Sequence, residues 1–132
     1  MKQLALTKEN SSTIGFVVSC IFAGAIDKRE LQAWADHVLD SCDPYPLYIV
    51  DLSTFDEPLG HIFRVIGFVP HCNLSDTEKD ALVGIAFLRG RGQVEPAPSR
   101  AQALAALSAH PTVLARFRET FPFITMEDDH AA

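Results

Sequence analysis

The sequence predicts an all-α protein that forms a single compact bundle of about five to seven helices. Apolar residues recur at the three- and four-residue spacing of amphipathic helices in several segments of the chain. Two of these segments begin with a capping box, a reciprocal side-chain pattern that fixes a helix start. The one segment with strand propensity, residues 46–52, has no convincing second strand with which to pair. We therefore expect helices throughout.

The size and composition of the chain favour one domain over residues 1–132. Its 132 residues, of which 48% are hydrophobic, are enough to bury a core without disulfides or a metal. We expect a short flexible N-terminus over about residues 1–10 and an acidic tail over about residues 127–132.

The first predicted helix is strongly apolar. Its core-facing stripe has the spacing i, i+3, i+4, i+7, i+8 and consists of Ile14, Val17, Val18, Ile21 and Phe22. Phe16 lies off this stripe, which indicates a helix buried on more than one side. The apolar run over residues 14–26 is shorter than the roughly 20 residues that span a bilayer as a helix. We therefore expect a buried helix rather than a membrane anchor.

The second predicted helix begins at Asp27, whose carboxylate can bond to the Glu30 amide while the Glu30 side chain bonds back. Its buried stripe consists of Leu31, Trp34, Ala35, Val38 and Leu39. On the opposite face, Gln32, Asp36 and Asp40 lie one above another at four-residue spacing. Like charges at that spacing destabilise a helix by about 0.2–0.5 kcal/mol per pair.

Prolines divide the middle of the chain. Pro44 and Pro46 end the second helix, because neither can donate an amide and each disfavours helical geometry in the residue before it. For residues 46–52 we favour a short buried helix that begins at Pro46, and a short extended segment is the alternative.

A further helix is predicted to begin at Pro58 and to end at Pro70. Asp56 and Glu57 would then lie at the positive end of its dipole. Two glycines one heptad apart in this helix are poor helix formers and are expected to let another helix approach closely; they are Gly60 and Gly67.

Three more helices are predicted in the C-terminal half. Ser75 and Glu78 form a capping box that starts a helix over about residues 76–89. Ser99 caps an alanine-rich helix over residues 100–109. The last helix follows Pro111, and its apolar residues are Val113, Leu114, Phe117 and Phe121.

The charge balance bears on the class of partner. The chain has 11 basic and 17 acidic residues and a formal net charge of -6, which opposes binding to nucleic acid or to an anionic membrane. A basic protein is the expected partner. The cysteines Cys20, Cys42 and Cys72 show no disulfide or zinc spacing, so we expect reduced thiols and a cytoplasmic protein.

The acidity is concentrated between Glu30 and His61, where the sequence has seven carboxylates and no Lys or Arg. Such a stretch is either a solvated surface or a surface that attracts a basic partner, and we favour the partner. Glu30 is used by the capping box. The predicted partner-binding residues are the other six, namely Asp36, Asp40, Asp43, Asp51, Asp56 and Glu57. The last two also suit a helix start, so the first four are the least explained locally.

No catalytic residue, cofactor or metal ligand is predicted. Glu57, His61 and Arg64 occur at i, i+4 and i+7, so they would share one helix side, and His with Glu could act as an acid–base pair in a small enzyme. That spacing is common by chance, and no nucleophile or ligand set accompanies it. We therefore expect a non-enzymatic protein. A helical adaptor or scaffold that binds another protein through an apolar groove is the other alternative.

Four segments resemble an immunity protein of a bacterial polymorphic toxin system, of the type found in contact-dependent growth inhibition. They are residues 34–36, 46–52, 61–70 and 81–89, so the resemblance covers roughly residues 14–90. It implies an α-helical cytosolic protein that binds a cognate toxin domain, often a nuclease, and blocks its active site or a neighbouring surface. A one-to-one complex with a basic toxin domain is expected. The resemblance transfers no binding residue, because such families vary most at the toxin-contacting surface.

Overall fold

The computed structural model describes residues 4–91 and 98–124. These residues contain seven α-helices and one 3₁₀ turn, which confirms the predicted all-α fold. In chain order the elements are α1 (Ser12–Phe22), α2 (Lys28–Ser41), α3 (Tyr48–Leu52), the 3₁₀ turn (Leu59–His61), α4 (Ile62–Ile66), α5 (Asp76–Leu88), α6 (Arg100–Ala109) and α7 (Pro111–Thr120). The acidic tail expected at 127–132 lies outside the described residues, as do residues 1–3.

Contacts within the chain divide it into two compact units. Unit 1 contains residues up to 21 and residues 26–73, and unit 2 contains residues 22–25 and the chain from 74 onward. The prediction of a single domain stays a prediction.

The part of α1 that belongs to unit 1, up to Ile21, is buried on several sides. Phe16 is fully buried although it lies off the predicted stripe, as expected for a helix contacted on several sides, whereas Phe22 of that stripe is exposed. A Cβ atom at Gly15 would lie 2.5 Å from the carbonyl oxygen of His71, so only glycine allows this approach. The Ser11 hydroxyl also accepts a hydrogen bond from the His71 amide at 2.8 Å. The helix start is thereby joined to the end of the unit.

Residues 4–10, which belong to the N-terminus that we expected to be flexible, are hydrogen-bonded within unit 1. The Ala5 carbonyl accepts bonds from the amides of Thr13 and Ile14 at 3.0 and 3.2 Å. Leu6 is buried, and its carbonyl accepts a hydrogen bond from the Tyr48 hydroxyl. Burial raises the pKa of this hydroxyl far above its ordinary value. The segment therefore contributes to the core.

Local chemistry sets the start of α2. Both bonds of the predicted capping box are present, from the Glu30 amide to Asp27 at 2.8 Å and from the Asp27 amide to Glu30 at 3.0 Å. Of the predicted stripe, Leu31, Trp34, Ala35 and Val38 are buried. Residues 48–52 form the short helix that we favoured over an extended segment. α2 packs on α3, and α3 packs on α4.

The helix predicted between Pro58 and Pro70 is shorter than expected. It begins as the 3₁₀ turn and its α-helical part, α4, ends at Ile66, because Gly67 adopts a left-handed conformation with φ of +93°. The expected close approach at Gly60 and Gly67 is wrong, since a Cβ atom at either would meet open space. The close approaches occur at Gly15 and Gly84 instead.

In unit 2, α5 packs on α6 and α7. A Cβ atom at Gly84 of α5 would lie 2.5 Å from the carbonyl oxygen of Ala103 in α6, so the two backbones touch. Both predicted helix starts are present, and each is a capping box, Ser75 with Glu78 and Ser99 with Gln102. The side chains of Phe117 and Phe121 are in contact, with ring centroids 4.9 Å apart and ring planes tilted by 52°, and both are fully buried.

Candidate functional site

The candidate site is an open groove of about 470 Å³ in unit 1. It is lined by the end of α3, the loop that follows, and α4. The lining residues are Asp51, Thr54, Phe55, Asp56, Glu57, Arg64 and Val65. Three of the six predicted partner-binding residues, Asp51, Asp56 and Glu57, therefore meet in one concave surface.

A long-range hydrogen bond holds the groove loop in place. The Gln32 side chain of α2 donates from its Nε2 atom to the carbonyl oxygen of Phe55 at 2.7 Å. The Phe55 side chain is buried, so the loop is anchored by both its backbone and its ring. These two anchors leave Asp56 and Glu57, which follow directly, exposed to solvent.

Glu57, His61 and Arg64 form a cluster at one side of the groove. Glu57 Oε1 lies 2.9 Å from His61 Nδ1 and 3.3 Å from the Arg64 guanidinium. The Arg64 guanidinium also lies 3.1 Å from His61 Nδ1. A guanidinium can only donate, so Nδ1 bonds to Arg64 when it is unprotonated and to Glu57 when it carries a proton. Either arrangement leaves Glu57 paired with a cationic or donating group.

This pairing determines the electrostatics of Glu57. The hydrogen bond with His61, and then the bond and charge of Arg64, lower the pKa of Glu57 below its ordinary value. The 3₁₀ turn that follows has no side-chain cap, and the predicted role of Glu57 at the positive end of a helix dipole stays a prediction. The side chains of Glu57, His61 and Arg64 are 50, 45 and 72% exposed, so the three form a surface cluster.

Asp51 and Asp56 differ from Glu57 in having no partner. In the described ranges 4–91 and 98–124, neither side chain has a hydrogen bond or an ion pair. Both are exposed. The groove thus offers two uncompensated carboxylates beside one that is already paired.

The remaining predicted residues lie elsewhere in unit 1. Asp36 and Asp40 are exposed on α2, and Asp43 is exposed in the turn that follows. None of these three lines the groove. Asp36 is one helical turn from Gln32, so it lies on the face of α2 that meets the groove loop.

Sequence reasoning missed the apolar part of this surface. Leu47 and Val50 are 82 and 45% exposed, although they belong to the most apolar segment of the chain and we expected that segment to be buried. A signal was present in the spacing, because Leu47, Val50, Asp51 and Thr54 follow i, i+3, i+4, i+7 and so share one side of α3. That side passes from apolar to acidic along its length.

The lining of the groove differs from that of a typical small-molecule pocket. Small-molecule pockets are mostly apolar with a few polar groups, whereas this groove has four charged side chains among its seven lining residues. Within residues 4–91 and 98–124, no group of three His, Cys, Asp or Glu side chains could hold a metal ion. No helix in the same ranges is long and apolar enough to cross a membrane.

Comparisons with protein-family models, with curated proteins and with solved structures give no match for this chain. The resemblance to immunity proteins of contact-dependent growth inhibition therefore stays a prediction.

Proposed function

We propose that this chain is an immunity protein that binds a basic toxin domain one-to-one in the cytoplasm and neutralises it through the acidic surface of unit 1. The toxin domain would be a nuclease or another enzyme with a positively charged substrate-binding face. The resemblance of residues 14–90 to such proteins motivates the class of partner, and the electrostatics of the groove give the location.

The observation that carries the proposal is the pair of unpartnered, exposed carboxylates in the groove. Asp51 and Asp56 lie in one concave surface, and within the described residues neither forms an ion pair with Arg64 or with another cation. Asp36 extends the acidity along α2. Carboxylates in such an arrangement speed association with a basic partner, and individual close charge pairs reach coupling energies of about 1.5–7 kcal/mol. Short aspartate side chains also lose little entropy when an arginine binds them.

Two other functions are weaker. An adaptor that uses an apolar surface is favoured by the exposure of Leu47 and Val50, which form an apolar patch on α3. A small enzyme that uses Glu57, His61 and Arg64 would need these groups in a water-excluding site, yet all three are about half exposed or more. We propose a non-enzymatic role.

The test is binding to the product of the adjacent gene, measured by calorimetry and stopped-flow fluorescence at several salt concentrations. We expect a one-to-one complex whose association rate falls as salt rises. The double variant Asp51→Asn, Asp56→Asn should weaken binding at least tenfold. A control with the same charge change outside the groove, Glu9→Gln with Asp76→Asn, should bind nearly as well as the wild type.

The alternatives give different outcomes. Absence of any complex with the adjacent gene product would contradict the proposed function. A complex that survives the groove variant and high salt, but is lost when Leu47 and Val50 become serine, would favour the adaptor.

A further inference from the structure

The side of α3 that faces solvent joins two chemically different surfaces. At its N-terminal end are Leu47 and Val50, which are apolar and exposed. One turn further are Asp51 and Thr54, which line the groove. A partner that covered only the groove would leave the apolar end in water, and one that covered only the apolar end would leave the carboxylates uncompensated. A single segment with both kinds of side chain satisfies both.

The charges in the groove select the polar part of that segment. Asp51 and Asp56 attract a cation, and the neighbouring Arg64 is already engaged by Glu57 at 3.3 Å. A guanidinium suits this site better than an ammonium, because its planar fork bonds two carboxylate oxygens at once and is less strongly hydrated. Phosphates of a nucleic acid or a lipid would be repelled.

We infer that a basic partner protein inserts one arginine between Asp51 and Asp56 and packs an apolar side chain of the same segment on Leu47 and Val50. This inference rests on the proposed function, which it deepens by naming the contact. It places Leu47 and Val50 in the interface together with the groove. Central apolar contacts that exclude water are where binding energy concentrates in protein interfaces.

Arg64 has an opposing role in this contact. Its guanidinium lies at the wall of the groove and has the same charge as the arginine that enters. Replacing it would remove this repulsion and leave Glu57 with His61 as its one remaining partner among the described residues, so the groove would become more negative. Binding should therefore strengthen when Arg64 becomes alanine, which is an outcome that simple loss of surface contacts would not give.

The first experiment uses peptides of known chemistry rather than the toxin domain. Capped acetyl-Leu-Gly-Arg-amide is titrated into the labelled full-length protein, and amide shifts are followed by NMR. The lysine and citrulline analogues serve as controls for charge and for shape. We expect shifts at residues 47, 50, 51, 54 and 56, largest with arginine and smallest with citrulline. Equal shifts with arginine and lysine, or shifts spread over other surfaces, would overturn the inference.

The second experiment uses the product of the adjacent gene. Leu47→Ser should weaken its binding about tenfold, whereas the matched change at another exposed apolar residue of unit 1, Val69→Ser, should not. Arg64→Ala should strengthen binding several-fold. If the Asp51, Asp56 variant weakens binding but Leu47→Ser leaves the affinity unchanged, the inference is wrong while the proposed function stands. If it does not bind but the peptide titration maps the groove, the proposed function fails and the inference stands.

Discussion

The two units of this protein differ in their charge and in the surfaces that they expose. The described part of unit 1 has nine acidic and four basic side chains, whereas that of unit 2 has four and six. Unit 1 also contains the groove, in which Asp51 and Asp56 have no ion-pair partner among the described residues. Unit 2 consists of regular helices, two of which begin with capping boxes, and its α5 and α6 touch at a glycine. The surplus of acidic side chains in unit 1 is the feature on which our proposal of a partner-binding surface rests.

The strongest test of whether the two units are independent is to destabilise the core of unit 2 and to measure the unfolding of unit 1. Phe117→Ala should lower the free energy of unfolding by about 3–5 kcal/mol, because it empties a fully buried site. Trp34 is the only tryptophan of the chain and is buried in unit 1. If the chain is the single domain that we predict, the urea midpoints measured by Trp34 fluorescence and by far-UV circular dichroism should both fall, and by the same amount.

The control for this experiment is Phe123→Ala, which removes the same kind of side chain from a partly exposed position and should have a much smaller effect. A Trp34 transition that stays in place while the helical signal shifts would show that the two units unfold separately. The single-domain prediction would then be wrong.

The close contact of α5 with α6 provides the next test. Gly84→Ala places a Cβ atom 2.5 Å from the Ala103 carbonyl oxygen, so the helices must move apart. We expect a loss of about 1–3 kcal/mol from overpacking, although alanine is the better helix former. Thermal unfolding of this variant and of Gly60→Ala measures the effect. Gly60→Ala faces open space and should be neutral or slightly stabilising.

The helix caps allow a direct comparison between the units. Asp27→Ala in unit 1 and Ser99→Ala in unit 2 each remove one capping side chain, at a cost of about 1 kcal/mol. Asp27→Ser and Ser99→Thr retain an acceptor oxygen and should recover most of that loss in urea unfolding. If only one of the two alanine variants loses stability, tertiary contacts in the other unit offset the loss of its capping side chain.

The smallest effect concerns two exposed glutamates whose pKa values are lowered for different reasons. The His61 hydrogen bond, and then Arg64, lower the pKa of Glu57, whereas the Ser75 amide and hydroxyl lower that of Glu78. The stability each contributes is present above the ordinary value of 4.5 and is lost as pH falls through the lowered pKa. Carboxyl NMR titration should place both below 4.5.

The pKa values of these two carboxyls should respond differently to salt. Raising the salt concentration from about 0.1 to about 1 M shortens the Debye length roughly threefold and screens the exposed Glu57 pairs, so the pKa of Glu57 should rise. The pKa of Glu78 should change less, because the two largest causes that lower it are hydrogen bonds from the uncharged Ser75, whereas Glu57 also pairs with the cationic Arg64. A pKa of Glu57 that resists salt would contradict this assignment.

Features set by neighbours in the sequence were predictable. The capping boxes at Asp27 and Ser75 start α2 and α5 as expected, because donor and acceptor are three residues apart. The end of α4 could not be predicted. From the sequence, Gly67 could either end the helix or allow another helix to approach closely, and only its positive φ in the structure decides for the helix end. The glycines that do allow close approach, Gly15 and Gly84, meet backbone that is distant in sequence.

The candidate site could likewise be predicted only in part from the sequence. Its acidic side chains could be named from the sequence, and Asp51, Asp56 and Glu57 do share a surface. The groove itself could not, because it depends on the bond between Gln32 and Phe55, which are 23 positions apart. The exposure of Leu47 was also missed, since an apolar residue beside a buried helix is usually assigned to the core.

The bond from Gln32 to the Phe55 carbonyl has a practical consequence for protein engineering. A backbone carbonyl is present whatever side chain follows it, so the loop keeps its anchor when the side chains at 54, 56 and 57 are exchanged. These positions, together with 51, can be varied in a combinatorial library while Gln32 and Phe55 are retained. Such a library would select new binding specificities on an unchanged helical framework.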